Sequence, residues 1–446
     1  MPYISTTEQE RKEMLKAIGV ESFKELISNI PDKFVLKEKL KLEPAYSEQQ
    51  VSRKVFQLMN SNKCTQAFDS YLGAGVYDHF IPAAVDTIVS RPEFYTSYTP
   101  YQAEVSQGTL QFVYEYQTMI CELTGMEIAN ASMYDGASAA AEAILMAVRS
   151  TRKNKAIIAG SIHPTYINVI KRYTEGLEIE LDFVDSKDGA LDLKDLEKKV
   201  NDDIACVLVQ SPNFFGNIED MFAIEKITHA TKKGLLIVET DPIGLAITTS
   251  PADFNADIVI GEGQALGNNT NYGGPLFGFF ATKLSMSRMM PGRIVGETLD
   301  VAGKKAYALT LQAREQHIRR VKATSNICSN QSLCTLAATV YMALMGREGI
   351  KEVATQSMTK AHYLADEVKK LKGFSLAYPQ QTFFKEFVIN TPIPAAKIIE
   401  KALNHNIYAG VDMKPFGYDN QLMIAVTEKK TKADLDKFVK FLKEVK

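Results

Sequence analysis

Four short apolar runs with helical patterns between them occupy the middle of this chain, and their spacing leaves few architectures open. Ala156-Ile157-Ile158-Ala159, residues 179–184, Ala205-Cys206-Val207-Leu208-Val209 and Leu235-Leu236-Ile237-Val238 are each too short for a helix, and most are rich in β-branched residues. Helical patterns start near Pro164, Leu193 and Asp220. Strand, helix, strand at this interval predicts an α/β fold whose central sheet is mostly parallel and covered on both faces. A further apolar run, Leu276-Phe277-Gly278-Phe279-Phe280, is led by Gly273-Gly274 and predicts one more strand.

The flanks differ. Thr7-x-x-Glu10, Ser22-x-x-Glu25 and Ser47-x-x-Gln50 have the form of capping boxes, so the start of the chain predicts an N-terminal helical arm. A long helix is expected over 104–124, and after Gly303 the pattern turns helical, strongest over 332–345 and 351–370. From Gly373 a smaller α/β unit is expected, with strands at Phe387-Val388-Ile389 and 422–426 and helices over 395–403 and after Thr431. A chain of 446 residues exceeds one ordinary core, and the division expected is an arm over 1–65, a large α/β domain over 66–325 and a smaller C-terminal α/β domain over 326–446.

A formal charge of −2, with no dense Lys/Arg stripe, argues against a nucleic-acid partner. The five cysteines are scattered, odd in number and never spaced C-x-x-C, and the six histidines are dispersed. Free thiols in a reducing compartment are expected, with no metal site. The start of the chain lacks the pattern of a signal peptide, and the most apolar stretch is too short to span a bilayer. The expectation is a cytoplasmic protein with no membrane association.

Three places carry chemistry. Asp135-Gly136-Ala137-Ser138 opens an alanine-rich helix, where backbone N–H groups and a hydroxyl form either a phosphate cradle or an ordinary N-cap. His163 precedes a helix, and Asp241 follows a strand at the end where open α/β sheets gather ligands. Phe94-Tyr95-Thr96-Ser97-Tyr98-Thr99-Pro100-Tyr101-Gln102 suggests an extended, ordered loop, serving as an interface or active-site wall or as glue for the arm.

From Gly234 to Thr282 there is not one lysine or arginine. A buried pair of strands that excludes charge would account for that. The layout nonetheless resembles pyridoxal-phosphate (PLP) enzymes of the aspartate-aminotransferase type. The resemblance implies that the strand-end aspartate keeps the cofactor's pyridine nitrogen protonated and that a lysine just before the Gly-Gly strand anchors it. Gln264 stands in the lysine's place.

A narrower resemblance rests on FYTSYTPYQAEVSQGTLQFVYEYQTMICELTG (94–125), YLGAGVYD (71–78), QSPNFFG (210–216), GEGQALG (261–267) and the segment from Arg319-Arg320 through Ser325-Asn326-Ile327-Cys328. Together they resemble the P-protein, or glycine decarboxylase, of the glycine cleavage system, in the form split into two chains. The match is to the half without the catalytic lysine. It implies a PLP-transferase fold and a partner, glycine dehydrogenase subunit 2, that carries PLP. It also implies a lipoylated H-protein that accepts the aminomethyl group, and a heterotetramer with two copies of each subunit. No residue of this chain would be catalytic alone. Tyr95, Tyr98, Tyr101, Gln102 and Gln107 would complete the partner's site, while Asp135, Gly136, Ser138, His163, Asp241 and Gln264 would be remnants of a cofactor pocket. Two other readings stay open: a scaffold with no part in the chemistry, and an independent PLP enzyme using Lys283 or another lysine.

Overall fold

The structure is a computed structural model that describes residues 4–38 and 40–445. It divides into two compact units, Met1–Lys63 and Cys64–Lys446. Among the described residues no helix is long and apolar enough to cross a membrane.

The first unit holds α1 (Glu8–Ile18), α2 (Phe23–Leu26) and α3 (Glu48–Asn60). The Thr7 and Ser47 capping boxes form as their spacing predicts. Ser22 does not cap the backbone; its hydroxyl donates to Glu25 instead, at 2.9 Å. None of the three helices buries a residue, and among the described residues this unit has no core of its own.

The second unit is built on a seven-stranded sheet of β1 (Ile128–Ala129), β2 (Lys155–Ala159), β3 (Glu180–Val184), β4 (Ile204–Gln210), β5 (Leu235–Glu239), β6 (Ile258–Glu262) and β7 (Gly278–Thr282). Their order is β1-β7-β6-β5-β4-β2-β3, parallel throughout except that β7 runs antiparallel to both neighbours. The period-2 pattern assigns the two faces. Ile157, Leu236, Val238, Val259 and Phe279 join one core cluster, while Ile158, Ile237, Ile260 and Phe280 join the other. Helix α4 (Gln107–Thr124) contributes to the first face, and α5 (Gly136–Thr151) with α6 (Pro164–Thr174) covers the second.

One expectation needs correction. The chain around Gly303 is not helical but an antiparallel ribbon, β8 (Ile294–Leu299) with β9 (Lys305–Thr310), and Gly303 lies in its turn at φ 75°. Cross-strand packing explains it: Val295 and Tyr307 pack onto Leu110, Phe112 and Val113, while further along the same face Lys305 pairs with Glu297 at 2.7 Å and both stay exposed. The helices expected over 332–345 and 351–370 are both present, labelled together as α7 (Ser332–Val368) and separated by a kink at Gly346, whose backbone is not helical.

Beyond α7, a four-stranded antiparallel sheet is formed by β10 (Ser375–Leu376), β11 (Glu386–Asn390), β12 (Val411–Asp412) and β13 (Gln421–Ala425), in the order β10-β11-β13-β12. Helices α8 (Ala395–Leu403) and α9 (Lys432–Glu444) supply Ile398, Leu435 and Phe438 to its core. This small sheet matters because the strand entry at 382–386 runs back onto the large one.

Candidate active site

The parallel strands β4, β5 and β6 end at Gln210, Glu239 and Glu262, and Asp241 follows two residues after β5. Onto this end comes the 382–386 segment, tied by Ile218 N–H to Thr382 O at 2.8 Å and by Phe384 N–H to Gly216 O at 3.2 Å. Gly216 permits the approach. Its φ is 86°, and a Cβ there would lie 1.8 Å from the Glu386 carbonyl oxygen.

The segment delivers Lys385, 2% exposed, with its Nζ 2.6 Å from Asp241 Oδ2. The ammonium also lies 3.7 Å from the centre of the Tyr77 ring and 3.0 Å from His79 Nε2. A lysine ammonium only donates, so His79 accepts at Nε2 and donates from Nδ1 to Glu428 at 2.6 Å. Burial pushes the Asp241 carboxyl up, but the Lys385 ammonium outweighs it and holds the group below its usual range.

Three more carboxyls crowd the same end. Burial raises Glu386 to about 7 even though it accepts from Ala74 N–H at 2.7 Å and Tyr77 O–H at 2.9 Å. Burial raises Glu262 to about 8, against bonds from Gly136, Gln264 and Phe277 N–H. Glu239, also raised by burial, leaves Oε2 with no partner among the described residues.

The residues singled out from the sequence fall into this network. At the start of α5 the Ser138 N–H donates to Asp135 Oδ1 at 2.7 Å, and the Asp135 N–H donates to Ser138 Oγ at 3.1 Å. The Gly136 N–H is taken by Glu262 Oε2 at 3.0 Å. Two donors of that helix end, at Gly136 and Ser138, are therefore occupied by carboxyl side chains. His163 is buried and bonds through Nε2 to Ala74 O at 3.0 Å, while Nδ1 accepts from Thr165 N–H at 3.2 Å; burial lowers its pKa. The 74–75 loop thus lies against the imidazole. Gln264 reads the Tyr77 peptide both ways: Oε1 accepts from Tyr77 N–H at 2.9 Å and Nε2 donates to Tyr77 O at 3.1 Å. What remains open is a cavity of about 40 Å³ lined by Tyr77, Asp241, Glu262 and Lys385 among others. That is room for a few waters at most.

PLP does not fit this arrangement. A lysine ammonium holds the aspartate that would meet the ring nitrogen, carboxyls hold the helix end that would meet the phosphate, and the volume is far below the ~300 Å³ at which ligand pockets begin. Lys283 offers no alternative anchor. Its Nζ bonds Asp257 at 2.6 Å and Asn255 at 2.9 Å, before the start of β6, the opposite end of that strand from Glu262.

The tyrosine segment lies elsewhere. Pro92–Tyr95 is a helical turn, not part of an extended loop, because Pro92 starts it and Tyr95 N–H bonds Arg91 O; the irregular stretch begins at Thr96. Tyr95, Tyr98 and Tyr101 are 66%, 83% and 54% exposed, and Gln102 is exposed too. Gln107 is spent on structure: Nε2 donates to Ala103 O and Tyr307 O, and Oε1 accepts from Tyr307 N–H, fixing β9 to α4. Sequence reasoning missed Lys385, Glu386, Tyr77, His79 and Glu262. Two charges inside Phe383-Phe384-Lys385-Glu386-Phe387, an otherwise apolar run, were the available signal.

A mostly parallel seven-stranded sheet with one antiparallel strand, an aspartate at its carboxyl end and a small antiparallel sheet folded back over it is the fold of the PLP-dependent transferases of the aspartate-aminotransferase type. A solved mutant of C-DES, with glycine covalently linked to its PLP cofactor, shares the fold at TM-score 0.61 and 12% identity over 86% of this chain and all of that one. The chain belongs to the glycine cleavage system P-protein family, whose profile matches residues 1–442. It is 50% identical over 445 residues, the whole of both chains, to the probable glycine dehydrogenase (decarboxylating) subunit 1 of Chloroherpeton thalassium. The crystal structure of a glycine decarboxylase (P-protein) in inhibitor-bound form superposes at TM-score 0.90 with 38% identity, covering all of both chains.

Proposed function

We propose that this chain is the half of a two-chain glycine decarboxylase that lacks the cofactor-anchoring lysine, active only when paired with subunit 2. The observation that carries the reading is Lys385 on Asp241, which fills the position a cofactor ring would need. The electron sink for decarboxylation is then supplied by PLP on the partner, and the aminomethyl group passes to the lipoyl group of the H-protein. Two copies of each subunit form the assembly, in the cytoplasm.

This chain's part is to complete the neighbour's site. Tyr95, Tyr98 and Tyr101, with Gln102, are the residues proposed to line it, and Gln107 positions them from behind. Support comes from exposure without use: among the described residues the Tyr98 hydroxyl has no hydrogen bond, and a large aromatic surface left open on a folded chain suits a contact. Asp135, Gly136, Ser138, His163, Asp241 and Gln264 are proposed as remnants of an ancestral pocket, now a sealed polar cluster. The proposed domain division is 1–65, 66–325 and 326–446.

Co-expression with the lysine-bearing subunit tests the pairing. The expected result is a stable complex that exchanges glycine with bicarbonate, while this chain alone is colourless with PLP and inactive. Tyr98→Phe should lower the exchange rate of the complex at least about tenfold without loosening assembly, the range of one positioned polar group. Unchanged exchange with unchanged assembly would instead favour the scaffold reading. Activity of the single chain with PLP would end the proposal.

A further inference from the structure

A second cavity, of about 290 Å³, lies under Ser97, Tyr98, Thr99 and Pro100 and shares no lining residue with the one at Asp241. Arg293 forms part of its wall and is 5% exposed. A guanidinium taken out of water this far needs close partners, and this one has few. Nη1 reaches Asn330 Oδ1 at 3.5 Å, Nη2 reaches the Tyr101 hydroxyl at 3.4 Å, and Nε has no partner among the described residues. The nearest carboxylate, Glu315, stands 4.0 Å from Nε, outside hydrogen-bond range, and His317 faces that same carboxylate at 3.5 Å. The charge is partly offset; the donors are not satisfied.

The opposite wall adds an independent feature. Residues 329–333 line the cavity, so the start of α7 faces it. Gln331 at the N-cap makes no side-chain cap bond, which leaves first-turn N–H groups and the positive end of the helix dipole without an anionic partner. A buried guanidinium and an uncapped helix end meet at one cavity, with the largely exposed Tyr98 on its rim.

We propose that this cavity binds a small oxyanion, a carboxylate or a phosphate group, held by Arg293 with Asn330 and the first turn of α7. A guanidinium meets two oxygens of either group at once, and the helix end meets a third or the same pair from the other side. The site goes beyond the pairing proposed above, and its test needs neither the second chain nor turnover.

Titration calorimetry of the full chain with acetate, glycine and inorganic phosphate, in chloride buffer, tests it. Expected is one saturable site per chain for at least one probe, and which probe binds decides between carboxylate and phosphate. Arg293→Met should weaken binding at least tenfold, Arg293→Lys less, and Asn330→Ala severalfold, with unchanged far-ultraviolet circular dichroism. Should R293M fail to fold, N330A carries the test. No saturable binding of any probe, or undiminished binding in R293M, or in N330A where R293M is unfolded, overturns the proposal.

Discussion

An ammonium and a carboxylate 2.6 Å apart, the first buried and the second nearly so, form a pair whose cost appears when one member is removed. Lys385→Met leaves Asp241 without its counter-charge, and a loss of about 3–5 kcal/mol in urea denaturation is expected. Adding Asp241→Asn to that variant should recover most of it, because the orphaned charge is then gone; no recovery would mean that the lysine acts through packing alone. Gln264 was legible as the empty place of a lysine, yet its own task was not. It accepts the Tyr77 N–H, which a lysine cannot do, so Gln264→Lys is expected to lose about 1–3 kcal/mol and gain no PLP absorbance. A stable, yellow Q264K would contradict both statements. Lys385 escaped the sequence reading because its partner lies far away in the chain, and no local period records a contact of that separation.

Elements were legible where a period repeats and obscure where a single residue decides. The strands β2 to β5 follow from short apolar runs, most of them rich in β-branched residues, and α8 spans the residues its pattern predicts. The β8–β9 ribbon hid because the charges of Glu297 and Lys305 interrupt the same face that carries Val295 and Tyr307, so no clean alternation marks it. The break in α7 was legible as the gap between two helical patterns, but its seat at the single residue Gly346 was not. At φ 59° and ψ −173° it occupies a backbone region nearly closed to other residues, while a Cβ there would meet nothing within 4 Å. Gly346→Ala should therefore cost about 1–3 kcal/mol through the backbone alone. Urea denaturation measures it. A neutral substitution would mean that α7 straightens without penalty, and helicity by circular dichroism would then rise.

At the scale of the whole molecule, the sheet end concentrates buried acids, and that sets how stability follows pH. Glu386 and Glu262 titrate near 7 and 8 in the folded chain because burial disfavours their charged forms, against an ordinary 4.5. Between 4.5 and those values the folded state holds protons that the unfolded state has released. The stability these groups contribute is complete below 4.5 and is lost as pH rises through 7 and 8, by an amount on the order of a few kcal/mol. Asp241 acts in the opposite sense: its lowered carboxyl contributes stability that is present above 3.8 and lost as pH falls below it. The two trends place the most stable range in mildly acidic solution. The melting temperature of the isolated chain is expected to fall from about pH 5 to about pH 8 and to level off above that. Glu262→Gln, which keeps an acceptor for Gln264 and Phe277 but cannot ionise, should flatten that slope. A profile that is level or rising over the same interval, or a slope untouched by E262Q, would show that these carboxyls are already ionised and hydrated at neutral pH. The cluster at Asp241 would then be open to water, not sealed.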